Sequence, residues 1–214
     1  MAIKRPNKFD SKHQLKSKNE YDTHMVKLIT QIEKNTECYV ETFGQLSIEE
    51  LNWKPNSKSW SIAQNMNHLI VMNNTYFPII ESIQKGTYKT PFLSKFDFIV
   101  SFFGNMILKS VQPNRKKKMK TFPIWEPLKS EIPIGIIDRF IEHQSKLIMM
   151  IKNSEDLLEK GTIISSPANK NIVYKLGTAF KIIIAHEQRH FLQSKEVLEI
   201  INNQSKGRDL IKNK

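Results

Sequence analysis

The chain has 214 residues, which suffices for one domain with a core large enough to hold a cavity. Hydrophobic residues make up 39% of it, which excludes an intrinsically disordered chain, and seven glycines are too few for a turn-rich all-β fold. The formal net charge is +12, but only five of the 33 basic residues are arginines, which most often recognise phosphates and bases. The charge therefore indicates a solvated, lysine-rich surface and argues against a nucleic-acid partner.

Residues 1–19 are polar and basic without hydrophobic periodicity, which predicts a flexible basic tail. They contain no apolar stretch of the kind found in a secretory signal. A single cysteine, Cys38, excludes an intrachain disulfide, so a cytoplasmic location is expected. The most apolar segment, residues 92–108, has only 17 residues and includes Lys95 and Asp97, so no membrane span is predicted.

The first half of the chain reads as two long helices. Apolar residues recurring every three or four positions predict an amphipathic helix over about residues 20–43. The capping-box pattern Ser47–Glu50 opens a short turn, and a second one at Ser61–Gln64 begins the second long helix. Pro78 should kink or split that helix, and Gly86 should end it.

The second half holds a long crossover and two more helices. Residues 87–131 contain a short apolar helix, a basic loop and an extended segment with two prolines. Helical patterns follow at about 133–160 and 173–203, and residues 205–214 read as a polar tail. With four long helices and no convincing strand, residues 20–204 are predicted to form an all-α four-helix bundle with a long crossover between helices 2 and 3.

Histidines on two of these helices suggest a metal site. His186 and His190 are one turn apart on the stripe that carries Ala179 and Ile183, so both imidazoles should face the core. Two buried imidazoles each need a partner, and one metal ion would satisfy both. His68, on the inner side of the second helix, would complete a three-histidine site with open coordination positions, as in catalytic rather than structural sites.

The same residues permit a second interpretation. His186-Glu187-x-x-His190 matches the HExxH motif of zinc peptidases, in which the glutamate is the general base. Against it, only Glu196 and Glu199 follow as further ligands, both on the same helix, and no edge strand is available for a peptide substrate. In a bundle, Glu187 would instead lie behind the ligands or at the surface, about 100° around the helix from His186.

Other residues could act beside the metal. Gln64, one turn before the first site histidine, and Gln193, three residues after the last, could hydrogen-bond an imidazole or bound water, or could be ordinary polar residues. Trp60 is expected to pack at the start of the second helix. Glu187 and His143 are the candidate acid–base residues. His143 is expected to be exposed to water at the rim of the site, and a role as proton shuttle near the metal is the alternative.

Two segments together resemble a known family. Leu51-Asn52-Trp53-Lys54-Pro55, then Lys58-Ser59-Trp60-Ser61-Ile62-Ala63-Gln64 and His68, resembles the start of the second helix in DinB-like proteins. Ala185-His186-Glu187-x-Arg189-His190-Phe191-x-Gln193 is similar to that family's fourth-helix signature. The resemblance spans about residues 20–203 and implies a bundle whose three histidines, His68, His186 and His190, bind zinc or nickel. The basic N-terminal segment and the long crossover depart from the family pattern.

The resemblance also suggests chemistry, because relatives include bacillithiol- and mycothiol-dependent transferases and an isomerase, beside many proteins with no known activity. The expected function is a metal-dependent enzyme acting on a small molecule. It would be a transferase that uses a low-molecular-weight thiol such as bacillithiol, or a hydrolase that uses metal-bound water. A metal- or ligand-binding bundle without turnover is the main alternative, and an interaction protein that uses its basic tail on nucleic acid or membrane is another. A homodimer is left open.

Overall fold

The computed structural model describes the backbone of residues 8–114, 121–127 and 130–212, and the side chains of residues 23–114, 121–127 and 130–204. The helices in chain order are α1 (Lys8–Phe43), α2 (Ile48–Asn52), α3 (Ile62–Asn74), α4 (Phe77–Gln84), α5 (Asp97–Ser110), α6 (Ile136–Lys152), α7 (Glu155–Glu159) and α8 (Leu176–Lys212). Short 3-10 turns cover Phe92–Lys95 and Pro123–Trp125. Helices α1 and α3 each pack against both α6 and α8, so the predicted all-α bundle is confirmed.

Local sequence sets several of these boundaries. Ser47 and Glu50 exchange both hydrogen bonds of a capping box at the start of α2, and Ser61 and Gln64 do the same at α3. Pro78 occupies the first turn of α4, where its missing N–H costs nothing, and the second helix is split between Asn74 and Phe77 as predicted.

Other boundaries differ from the prediction. Helix α1 begins at Lys8 and α8 ends at Lys212, so helix extends into both segments predicted as tails; residues 1–7 and 213–214 lie outside the described residues. Lysine makes up four of the twelve residues 8–19 and two of the eight residues 205–212, and hydrophobic periodicity does not register its helix propensity. The third helix is interrupted after Lys152, where the buried Ser154 hydroxyl donates to the Met150 carbonyl at 2.7 Å and competes with the helical backbone.

An antiparallel hairpin contradicts the expectation of no strands. Strand β1 (Ile163–Ser166) pairs with β2 (Asn169–Lys175), with Ile164 opposite Tyr174. Residues 173–175 were predicted to open the fourth helix, but Val173 and Tyr174 are buried in the extended backbone that α5 covers. The hairpin is too short for its alternation to stand out in the sequence.

The core consists of two hydrophobic clusters separated by polar side chains. One surrounds Leu147, Phe180 and the hairpin, and the other surrounds Tyr39 and Phe140. Where the clusters meet, each of the four long helical segments contributes buried polar residues, and the three site histidines lie at this level of α3 and α8. Within the described residues, no helix is both long enough and apolar enough to span a membrane.

Candidate metal centre

The three predicted histidines meet at the interface between α3 and α8. The ligand atoms of His68, His186 and His190 all lie within 4.8 Å of one another, and the three rings are 4.5–5.2 Å apart between centroids. The Nε2 atoms of His186 and His190 are 3.0 Å apart. In the described part of the chain this cluster contains three imidazoles and no carboxylate.

Hydrogen bonds orient two of the rings. His68 Nδ1 lies 2.5 Å from the carbonyl oxygen of Trp125, which can only accept, so Nδ1 carries the hydrogen and Nε2 keeps its lone pair. His190 Nδ1 lies 2.7 Å from Asn65 Oδ1. Asn65 donates its Nδ2 to the Ser61 carbonyl at 2.9 Å, which turns its amide oxygen towards the imidazole. His190 therefore also keeps its Nε2 lone pair.

The nitrogen geometry fits a shared metal ion. Two nitrogens that are each 2.0–2.1 Å from one ion lie about 2.9 Å apart at a right angle and about 3.4 Å apart at the tetrahedral angle. The 3.0 Å separation of the His186 and His190 Nε2 atoms falls within this interval. Among the described residues, the buried His186 Nδ1 has no hydrogen-bond partner, so a metal ion at Nε2 would give this imidazole a strong polar interaction.

Burial keeps the cluster neutral. It is the main cause that lowers the pKa of His68, and it lowers the pKa values of His186 and His190 well below the usual range. Neighbouring imidazoles and the Arg189 guanidinium lower the pKa values of His186 and His190 further. Protons therefore do not compete for the ligand nitrogens at neutral pH.

The site is positively biased and walled by aromatic rings. Arg189 is largely buried and donates to the Gln112 carbonyl at 3.2 Å. Trp60 stacks on His190 at 5.8 Å between centroids and lies 4.9 Å from the ring of His68. Phe122 in turn contacts Trp125, with their ring centroids 5.5 Å apart. An ion on neutral ligands, beside a guanidinium, would favour an anionic further ligand.

The family model of the DinB superfamily matches residues 31–194. The chain belongs to the DinB superfamily. The match contains all three histidines, and it confirms the resemblance predicted from the Trp-Ser-Ile and HxxxH segments. The search of curated proteins and the search of solved structures each returned no match. Family membership supports the bundle and a histidine site that could hold a metal, and leaves the reaction to be proposed.

Glu187 of this DinB-superfamily chain is buried in the bundle core, with 0% of its surface exposed, so the surface placement was wrong. Its two carboxyl oxygens accept hydrogen bonds from Asn35 on α1 and Asn73 on α3, both at 3.0 Å. Gln144 on α6 also interacts with the carboxyl and helps to lower its pKa, although neither polar atom of its side chain forms a well-aligned hydrogen bond with a described residue. Burial outweighs these amides and raises the pKa of Glu187 to about 7.

His143 is also buried, at 4% exposure, and the expectation of an exposed rim residue was wrong. Its ring stacks on Phe77 of α4 with centroids 5.8 Å apart, and no residue in the described part of the chain hydrogen-bonds its Nε2 atom. Burial, followed by the charge of Lys146, lowers the pKa of His143 to about 4. The sequence placed His143 one step off the apolar stripe, and a modest rotation of α6 brings it inside.

The remaining candidates, Trp60, Gln64 and Gln193, differ in whether they contact the three histidines. Trp60 contacts two ligand rings, as described above. Gln64 accepts the Ser61 N–H in the capping box at 3.2 Å, a contact that begins the helix carrying His68. Gln193 is half-buried on α8, and no hydrogen bond joins it to the three histidines among the described residues.

Two groups that orient the ligands were not predicted from the sequence. Asn65 lies one turn before His68 on the apolar face of α3, so an inward-facing amide beside a predicted ligand was the available signal. The Trp125 carbonyl gave no signal, because a main-chain oxygen is present at every residue and only the path of the crossover brings this one to His68.

Proposed function

We propose that His68, His186 and His190 bind one divalent metal ion, zinc or nickel, and that the protein is a metal-dependent enzyme acting on a small molecule by thiol transfer or hydrolysis. The observation that carries the proposal is the convergence of three imidazoles whose ligand atoms lie within 4.8 Å of one another. Partners at Nδ1 of His68 and His190 leave Nε2 free for the ion.

Residues of this chain would prepare the site for an anionic reactant. When bound, the ion would supply Lewis acidity that stabilises a thiolate or lowers the pKa of water towards 7. Asn65 and the Trp125 carbonyl hold two ligand rings in place, and Trp60 shields one side of the cluster from water. Arg189 adds positive charge that attracts an anionic reactant. A low-molecular-weight thiol with carboxylates, such as bacillithiol, fits this bias.

The contacts of Glu187 speak against the peptidase alternative. A zinc-peptidase glutamate must reach the water on the metal, whereas both oxygens of Glu187 accept from Asn35 and Asn73 on other helices. Its side chain interacts with these amides, and its carboxyl is not part of the cluster of ligand atoms. A bundle that binds metal without turnover remains the competing proposal, and the activity measurement below separates the two.

The first experiment measures bound metal. Protein purified without chelator should carry close to one equivalent of zinc or nickel by elemental analysis. Single alanine substitutions of His68, His186 or His190 should reduce this well below stoichiometry and preserve the helical far-UV spectrum. His24→Ala, a histidine of α1 outside the cluster, is the matched control and should retain metal. Full metal retention by His68→Ala would refute the three-histidine site.

The second experiment tests catalysis. Metal-loaded protein should accelerate conjugation of bacillithiol to a simple aromatic electrophile, and His190→Ala should abolish the acceleration. If the loaded protein neither binds millimolar thiol nor accelerates conjugation, thiol transfer is excluded. Ester and amide hydrolysis are then assayed with the same pair of proteins, and inactivity in all assays favours a binding protein.

A further inference from the structure

Helix α5 has two apolar faces, and only one of them is packed against the described residues. Val100 and Gly104 face inward, and a Cβ atom on Gly104 would lie 3.2 Å from Thr178, so this face sits tightly against the rest of the protein. Phe98 and Phe102, spaced by one turn, point outward with 73% and 62% of their surfaces exposed. A helix that needed one apolar face for the core would not carry a second on its solvent side.

The outward face belongs to a larger apolar surface. The 3-10 turn before α5 adds two exposed rings: Phe92 lies 5.7 Å from Phe96, which lies 6.2 Å from Phe98 between centroids. Met106 extends the row by one more turn. We call these five residues, Phe92, Phe96, Phe98, Phe102 and Met106, the α5 aromatic surface. Contiguous exposed patches of this kind mark interaction sites on proteins.

Positive charge accompanies this surface. Residues 85–114 contain four lysines and one acidic residue, a net charge of +3. Lys95 lies 5.3 Å above the ring of Phe92, and Lys109 is exposed in the last turn of α5. The partner of this surface should therefore be apolar inside and anionic outside.

We propose that the α5 aromatic surface docks on an anionic lipid bilayer, with α5 lying in the plane of the interface. Aromatic residues on one side of a helix with lysines around them are typical of interfacial binding. With 14 residues, α5 is about 21 Å long, too short to cross the hydrocarbon core but suited to lie in the interface.

Other occupants fit less well. A symmetric contact between two copies would bring two segments of net charge +3 face to face, which opposes association. All four basic residues in this segment are lysines, whereas recognition of bases relies mainly on arginine. A membrane surface needs no bidentate geometry, because lysine attracts anionic headgroups as a point charge.

Vesicle co-sedimentation tests the proposal with the full chain. Vesicles of phosphatidylcholine with 30% phosphatidylglycerol should bind the protein at about 0.1 M salt, while pure phosphatidylcholine vesicles should bind it at least about 10-fold more weakly. The double variant Phe98→Ser/Phe102→Ser should bind at least about 10-fold more weakly than the wild type, because two inserted rings are lost. The matched control is Ile134→Ser/Met149→Ser, whose wild-type side chains are 80% and 55% exposed outside this surface; it should bind normally.

Insertion is measured with F98W, which places a fluorophore in the surface. Its added emission should shift to the blue and be quenched by brominated lipids, whereas I134W should show neither effect. The proposal is overturned if anionic vesicles do not bind the wild type. It is also overturned if Phe98→Ser/Phe102→Ser binds them as well as the wild type, which would indicate general charge attraction. It is also overturned if Phe98→Ser/Phe102→Ser instead converts a dimer to a monomer in light scattering.

Discussion

Asn65 offers a test of how the bundle prepares its ligands, because its substitution leaves all three histidines in place. Asn65→Leu keeps a side chain of similar size and removes the acceptor that fixes His190. The imidazole could then carry its hydrogen on either nitrogen and rotate, so that the lone pair at Nε2 is no longer guaranteed. The variant should bind zinc more weakly than the wild type.

The size of the effect follows from the contact. The 2.7 Å hydrogen bond is buried, and loss of such a partner of a ligating histidine typically weakens metal binding about 10- to 100-fold, or about 1.4 to 2.7 kcal/mol. Stability of the metal-free protein should also fall by about 1–3 kcal/mol, because the Ser61 carbonyl loses its Nδ2 donor and His190 loses its acceptor. Asn65→Asp retains an acceptor and should keep most of the affinity.

Zinc affinity is measured by competition with a chromophoric chelator, and stability by urea unfolding of the metal-free protein. Asn67→Leu is the matched control, since Asn67 lies two residues along α3 on a different face and is only half-buried. If Asn65→Leu binds zinc as tightly as Asn67→Leu and the wild type do, the role assigned to Asn65 is refuted, whatever the change in stability.

Two further predictions concern the buried acid–base groups. Glu187→Gln should keep normal metal content, and neither it nor the wild type should cleave an unstructured protein; chelator-sensitive cleavage by the wild type would contradict this. The pKa of His143 is about 4 in the folded protein and about 6.5 in the unfolded chain. Between pH 7 and pH 5 the unfolded chain therefore binds a proton at this imidazole and the folded protein does not, which favours unfolding. Wild-type stability should therefore fall by about 2 kcal/mol more than that of His143→Phe over this interval, measured by urea unfolding with chelator present; parallel pH profiles would contradict the buried neutral imidazole.

Sequence patterns predicted the features that depend on neighbours along the chain. The capping boxes at Ser47 and Ser61, the split at Pro78 and the shared face of His186 and His190 each follow from spacing within a few residues. The position of His68 beside His186 and His190 could be predicted only from two further facts. A bundle brings the inward faces of its helices together, and the family pattern includes a third histidine ligand.

Features that depend on tertiary contacts were missed. The hairpin forms because Val173 and Tyr174 find a covering surface in α5, which no local pattern encodes. His143 lies near the edge of an apolar stripe, where a modest rotation of the helix decides between water and core. The path of the crossover decides which carbonyl oxygen contacts His68. The predicted crossover, residues 87–131, is 45 residues long, and its hydrophobic pattern is too weak to predict that path.

In this chain the glutamate of the HExxH motif, Glu187, is buried among amides of other helices. On α8 it follows His186 directly, so the helix presents the imidazole towards α3 and the carboxyl towards amides on α1 and α3. These hydrogen bonds offset part of the cost of burying the carboxyl, and they form at the rotation that α8 has in the structure. That rotation is also the one that aims His186 and His190 at His68. We infer that the amide contacts of Glu187 help to fix this rotation of α8, a role that needs no contact with the metal or its water.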